Sequence, residues 1–260
     1  MANRQPIGFF DSGVGGISVL KKAMEILPKE DFIYFGDSRN APYGDKDVET
    51  ISRLSFQAVD FLLSMECKSI VVACNTATSV AIEEMRKKYP NLPIIGIEPA
   101  LKVAIDHTDD GKILVLATNR TLLEKKFKNL SDQYARTRTI VSLPLPGLVE
   151  IIEKGEDYQE KSLDYLRTAL DKVDRDISAV VLGCTHYPFI KPSLRRIFSE
   201  DILIVDGSEG TARHLKEVLT ERDLLSDKEE KGTLTIYNSS ENQSLMELTH
   251  RLLREDSDGE

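Results

Sequence analysis

The sequence predicts an α/β fold of two similar lobes, each with a mainly parallel sheet, related by pseudo-twofold symmetry across a cleft. Three observations carry this. Short Val/Ile-rich runs alternate with longer segments whose apolar residues recur at spacings of three and four. Most of the short runs lack apolar–polar alternation, as strands covered on both faces should. Landmarks of the first part also return at a nearly constant spacing of about 110 residues: Asp11 with Thr118, Cys74 with Cys184, Glu98 with Asp206.

The elements follow in order. PIGFF (6–10) is the first strand, and GGISVLKKAMEILP, with glycines ahead of its periodic stretch and a proline after it, is the helix that returns from it. FIYFG (32–36) leads into a turn-rich loop, then the helix DVETISRLSFQAVDFLLSM. SIVVA (69–73) precedes the helix SVAIEEMRKKYP, and PIIGI (93–97) ends the first lobe. The second lobe repeats the scheme: KILVLA (112–117), the helix RTLLEKKFKNL, TIVSL (139–143), the helix YQEKSLDYLRTALDKV, AVVLG (179–183) and ILIVD (202–206). A helix GTARHLKEVLTERDLL, a strand TLTIYN (233–238) and a helix SLMELTHRLLR complete the chain. The expected division is 1–97 plus 207–260 for the first lobe and 98–206 for the second, with the acidic end EDSDGE frayed.

A chain of 260 residues with 41% hydrophobic and 30% charged residues suffices for two such lobes. Its formal net charge of -9, without a basic cluster, argues against nucleic acid or an anionic membrane as partner. No apolar run reaches the roughly 20 residues of a membrane span, and MANRQPIGFF lacks a signal-peptide core, so the expected location is cytoplasmic. Three cysteines, Cys67, Cys74 and Cys184, match no zinc or redox spacing and make a poor disulfide framework. Cys67 is expected as a buried small hydrophobe.

Unusual residues gather where strands end, which is where ligands bind on parallel sheets. FFDSGVGGISVL sets Asp11, Ser12 and three glycines between a strand and a helix. Such a turn can receive a small carboxylate on backbone N–H groups, or can be only a tight, capped turn. It is neither a dinucleotide fingerprint nor a phosphate loop. FGDSRNAPYGDK supplies Asp37, Ser38, Pro42, Tyr43 and Gly44 in a loop after the second strand. VVACNTAT ends a strand in Cys74, Asn75 and Thr76; VVLGCTHY ends its counterpart in Cys184, Thr185 and His186.

One such cysteine is most simply core packing; two at equivalent points, each followed by polar residues, point to chemistry. A thiol has an ordinary pKa near 8.5, which a helix N-terminus can lower. Two thiols on opposite sides of one ligand suit removal of a proton from one face of a carbon and delivery to the other. Backbone N–H groups would stabilise the carbanion, and no cofactor or metal is needed. Two other chemistries remain open: a cysteine hydrolase built on Cys184 and His186, for which Cys74 is dispensable, and a two-lobed binding protein.

Together FFDSGVGGISVL, YFGDSRNAPYG, VVACNTAT and VVLGCTHYPFI, in this order and covering about Ile7 to Ala212, closely resemble the bacterial glutamate racemases of the cofactor-independent aspartate/glutamate racemase superfamily. The resemblance implies Cys74 and Cys184 as catalytic acid/bases, assisted by Asp11 and His186 respectively. It implies Ser12, Asn75, Thr76, Thr185 and the Tyr43–Gly44 turn as the substrate-binding set. A family glutamate falls at Glu153 in PGLVEIIEKG, with Glu150, standing where the family has proline, as a competitor. Leu145 also departs from the family's small residue or cysteine. The resemblance further implies glutamate as substrate, no cofactor, a homodimer, and a D-glutamate product used in peptidoglycan. Because the chain begins just before its first strand, the extension of activator-dependent relatives is expected to be absent. An aspartate racemase is the alternative within the superfamily.

Overall fold

The structure, a computed structural model, describes residues 4–108, 111–134, 136–174 and 176–255, so the acidic end expected to fray lies almost wholly outside them. Nine strands are present among these residues: β1 (Ile7–Asp11), β2 (Phe32–Gly36), β3 (Ser69–Val72), β4 (Ile94–Gly96), β5 (Lys112–Ala117), β6 (Thr139–Pro144), β7 (Ile177–Gly183), β8 (Leu203–Asp206) and β9 (Leu234–Asn238). Each coincides with an expected run to within two residues, because continuous apolar stretches of this length leave little choice of register.

The strands form two sheets of orders β4-β3-β1-β2-β9 and β6-β5-β7-β8, with every pairing parallel. Without β9 the first order, read from its other edge, is β2-β1-β3-β4, the same as the second. The duplication inferred from sequence is thus a duplication of topology. β9 comes from the end of the chain and pairs with β2, Phe32 opposite Leu234. The segment leading into β9 is anchored by a buried ion pair: Lys68 Nζ lies 2.5 Å from Glu30, whose other oxygen accepts from the Ser226 N–H at 2.7 Å. Removing either partner of such a pair costs about 3–5 kcal/mol, because the other charge is left buried alone.

Helices fill the connections: α1 (Ile17–Ile26), α2 (Val48–Ser64), α3 (Asn75–Lys88), α4 (Leu101–Asp106), α5 (Asn119–Leu123), α6 (Lys125–Tyr134), α7 (Leu148–Glu153), α8 (Tyr158–Ala169), α9 (Lys191–Arg195), α10 (Ser208–Glu221) and α11 (Gln243–Arg254). The sequence reading differs in three respects. The helix expected over 120–130 is two, broken at Glu124, whose φ of -70° and ψ of 143° are extended. The short helices α4, α7 and α9 were not expected, since five or six residues are too few to display a period. And α3 begins at Asn75, four residues before its apolar period, because Cys74 caps it.

Side-chain alternation sorts the core. In β1, Phe9 faces a core shared by both sheets and Phe10 faces the layer under α2 and α3. In β5, Leu114 and Leu116 join the shared core, whereas Ile113 and Val115 face a separate outer layer. Helices α1, α7, α8, α10 and α11 all contribute to the shared core, which therefore holds the two halves together. The chain crosses between the halves after β4 and after β8. There the Glu98 N–H donates to Thr211 Oγ1 at 2.8 Å, and a Cβ on Gly207 would stand 2.1 Å from the Glu98 carbonyl oxygen. Only glycine permits that approach. Both sheets then aim their carboxyl ends at a common cleft.

Candidate active site

Four strand ends build the site: β1 delivers Asp11 and Ser12, β3 delivers Cys74, β5 delivers Thr118, and β7 delivers Cys184. Cys74 is the N-cap of α3; its sulfur accepts from the Ala77 N–H at 3.4 Å. Its thiol donates to Ser12 Oγ at 3.4 Å. A helix terminus can lower a thiol's pKa, but here burial wins. With Asp11's charge adding to it, burial pushes Cys74 up to about 12, although Ser12 and the Ala77 N–H act the other way. Cys184 also contributes to that rise, so the two sulfurs lie within each other's field.

Cys184 is 7% exposed and has a different partner. His186 Nδ1 lies 3.8 Å from its sulfur, and His186 Nε2 lies 2.9 Å from Glu153 Oε1. That glutamate oxygen also accepts from the Val14 N–H at 3.2 Å, across the two halves. Burial opposes a charged imidazole. The hydrogen bonds and charges of Cys184 and Glu153 outweigh it and hold His186 well above its ordinary value. Of the two competing glutamates, Glu153 is the one that meets His186; Glu150 stands in the field of Tyr165 and Tyr187 instead.

Asp11 is fully buried between the halves. It accepts from the Gly13 N–H at 2.9 Å and from Thr185 Oγ1 at 3.0 Å. Burial raises its pKa, while His186, Gly13 and Thr185 restrain the rise. The glycines of the 13–16 turn explain how this loop reaches the other half. A Cβ on Gly15 would lie 2.4 Å from His186 Nδ1, and one on Gly13 would lie 2.0 Å from Glu153 Oε1. No side chain of Asp11 or Ser12 caps α1, whose N-cap is Gly16.

The loop after β2 divides in two. Asp37 accepts from Tyr43 OH at 2.7 Å and from Asn40 Nδ2 at 3.0 Å, and Ser38 Oγ accepts from Asn238 Nδ2 at 2.9 Å. Asp37 therefore braces the loop from within, and Ser38 ties it to the end of β9. Pro42, after a cis peptide bond, begins the turn that carries Tyr43 and Gly44 to the cleft; a Cβ on Gly44 would stand 3.0 Å from Thr118. Tyr43 is within the field of both Cys74 and Asp11.

Asn75 has a buried amide nitrogen with no protein partner, next to Cys74. The Thr76 hydroxyl lies 3.2 Å from Thr118 Oγ1 and 3.4 Å from Thr121 Oγ1. The sequence reading left Thr118 and Thr121 out of the site, although its own repeat aligned Thr118 with Asp11. The two meet the opposite half in parallel fashion: Asp11 bonds Thr185, and Thr118 bonds Thr76. A cavity of about 280 Å³ opens behind Asn75 between Ile97, Val115 and Phe127, but neither thiol lines it. Among the described residues no group of three His, Cys, Asp or Glu is placed to hold a metal ion.

Two buried thiols thus stand at equivalent strand ends of a duplicated parallel-sheet fold, each with its own polar partner. Comparison with known proteins gives the family. The family model described as Asp/Glu/Hydantoin racemase matches residues 14–215. The chain is 52% identical over 252 residues to a glutamate racemase of Clostridium novyi, covering 96% of this chain and 97% of that one. Its structure resembles a glutamate racemase isoform of Bacillus anthracis (TM-score 0.87, 30% identity, 96% and 94% of the two chains covered). It likewise resembles a Francisella tularensis glutamate racemase solved with D-glutamate (TM-score 0.84, 30% identity, 98% and 96% covered). The chain belongs to the Asp/Glu/hydantoin racemase family.

Proposed function

We propose that this protein interconverts L- and D-glutamate by removing the α-proton with one of two thiols, Cys74 and Cys184, and delivering a proton to the opposite face from the other. One thiolate takes the α-proton and leaves a carbanion. The opposite thiol gives its own proton to the other face and is left as a thiolate; that form serves the reverse direction, and proton exchange of both sulfurs with solvent restores the starting form. No electron pair leaves the substrate. The observation that carries this reading is the placement of both buried sulfurs at equivalent strand ends, close enough for the charge of one to act on the other.

The partners fit the two roles. Ser12 and Asp11 stand at Cys74, while His186, backed by Glu153, can pass a proton to or from Cys184. The unpartnered Asn75 amide and the hydroxyls of Thr76, Thr118, Thr121 and Thr185 offer donors to a substrate carboxylate, where preorganised donors stabilise the carbanion most. The Tyr43–Gly44 turn lies beside Thr118. The choice of glutamate rests on the relatives' activity, and the family resemblance supports a cytoplasmic homodimer supplying D-glutamate to peptidoglycan.

The test is incubation in D2O with each enantiomer of glutamate and of aspartate, followed by circular dichroism and proton NMR. Glutamate should racemise and gain α-deuterium. Faster turnover of aspartate would move the assignment to the sister activity, and absence of α-exchange would refute a racemase. One observation favours a second reading: Cys184, His186 and Glu153 form a thiol–imidazole–carboxylate series like that of cysteine hydrolases. That reading leaves Cys74 without a role, and Cys74→Ser with full activity would establish it.

A further inference from the structure

The carboxyl-terminal helix α11 grips both halves of the molecule. Leu248 and Leu252 sit in the shared core. Lys21 of α1 donates to the carbonyls of Leu252, at 3.4 Å, and of Glu255, at the end where a helix favours a cation. The same end reaches the second half. Arg251 donates to the Gly155 carbonyl, and its guanidinium lies 5.5 Å from the centre of the Tyr158 ring. Tyr158 OH donates to Glu255 Oε2 at 2.6 Å, and Glu255 Oε1 lies 3.4 Å from Arg251 Nε.

Gly155 stands two residues beyond Glu153 and turns the chain out of α7. Its φ of 75° is one that residues with a Cβ rarely adopt, and its N–H holds the Ile152 carbonyl at 3.0 Å. The last turn of α11 thus clamps the peptide that follows Glu153, and Glu153 orients His186. The Cys74 side depends on it less: Asp11 and Ser12 come directly from the end of β1, which is paired on both edges, and meet Glu153 only through the Val14 N–H of the turn that follows.

We propose that Arg251 is a positioning residue for the Cys184 side of the site, holding Glu153 against His186 through Gly155, with Tyr158 and Glu255 holding Arg251 in turn. The inference rests on the two-thiol reading above. It ties the helix that ends the described chain more closely to the Cys184 arm than to the Cys74 arm.

Arg251→Ala is the test, with Cys74→Ser and Cys184→Ser run beside it. The variant should lose about 10- to 100-fold in kcat/KM, as expected when an assisting group is misplaced by a fraction of an ångström to one ångström. The enantiomers have equal free energy, so kcat/KM must fall by one factor in both directions; the asymmetry lies in the isotope effects. With α-deuterated substrates, the primary effect should rise in the direction in which Cys184 abstracts and fall in the other, as in Cys184→Ser. The charged groups facing His186 are Cys184 from β7, Glu153 from α7 and Asp11 from β1. Arg251 bonds none of them directly and bears on Glu153 through the Gly155 carbonyl. With that carboxylate loosened, the limb of the pH profile belonging to His186 should move to lower pH.

Arg251→Lys should restore most of the activity, and Tyr158→Phe should reproduce the pattern more weakly. These two conservative variants carry the test if the alanine variant does not fold. Equal isotope effects in both directions with an unshifted profile, or native behaviour of Arg251→Ala, would overturn the inference while leaving the two-thiol reading intact. If the two cysteine variants fail to give opposite isotope patterns, the two-thiol reading falls and this inference falls with it.

Discussion

The Cys74 and Cys184 strand ends have the same place in two sheets of the same order, yet their surroundings share almost nothing. Cys74 caps a fourteen-residue helix and leans on a serine and a buried aspartate. Cys184 is followed by a short 3-10 turn, Tyr187–Ile190, and leans on a histidine whose far nitrogen is held by a glutamate from α7. A thiol thus stands at the same place in both halves, with a different set of polar partners on each side. The difference has a physical basis. At Cys74 burial and a neighbouring carboxylate favour the protonated thiol, whereas at Cys184 a histidine held above its ordinary pKa stands beside the sulfur.

The comparison can be broken most forcefully by removing either sulfur. Cys74→Ala and Cys184→Ala should each reduce racemisation by about 10²–10⁴-fold or more, the range of a lost general acid or base. A large loss from only one would make the pair unequal in role. Partner substitutions sharpen the contrast: His186→Asn and Asp11→Asn should each cost about 10- to 100-fold. Their α-deuterium isotope effects should change in opposite directions, because each impairs a different thiol.

Chemical modification separates the thiols without substrate. With Cys74 pushed up to about 12, its thiolate fraction at pH 8 is on the order of a thousandfold below that of a free cysteine. Alkylation by iodoacetamide, followed by mass spectrometry, should be correspondingly slow at Cys74 and should accelerate tenfold per pH unit well above pH 9. A reaction at Cys74 that levels off near pH 8.5 would remove this side of the contrast.

A smaller effect concerns stability. His186 has a folded pKa above its unfolded value of 6.5, so the folded state binds its proton more tightly. Its contribution is fully present below pH 6.5 and is lost as pH rises through the folded value. The stability difference between the native chain and His186→Gln, measured by urea unfolding, should therefore shrink as pH increases. The smallest effect is expected at the threonine contacts across the cleft, where Thr118→Val should cost about 1 kcal/mol, the worth of an ordinary hydrogen bond.

Much of this architecture was legible before any coordinates, for a reason the strands illustrate. AVVLG and KILVLA are apolar on both faces, and no arrangement but a covered parallel sheet buries them fully. The two cysteines were legible because each follows such a run at one repeat spacing. What escaped the sequence was whatever depends on the two halves meeting. Thr121 carries no local signal, since its hydroxyl becomes a site group only where α3 and α5 approach. Glu150 and Glu153 sit one helical turn apart on α7, and the short helix shows too little period to say which faces His186. Asp37 and Ser38 were expected as ligand contacts because loop residues at strand ends often are; their side chains also bond Tyr43, Asn40 and Asn238, partners that no local sequence signal announces. The role of Arg251 was the least visible, being spread over residues far apart in sequence.

The central claim is that one α-carbon stands between Cys74 and Cys184, each serving one face. Hydrogen exchange of L- and D-glutamate in D2O, followed by NMR in Cys74→Ser and in Cys184→Ser, tests it most directly. The account predicts that each variant exchanges the α-proton of one enantiomer faster than it inverts it, and that the enantiomer is opposite in the two variants. Exchange of the same enantiomer by both variants, or native behaviour of either, would contradict it.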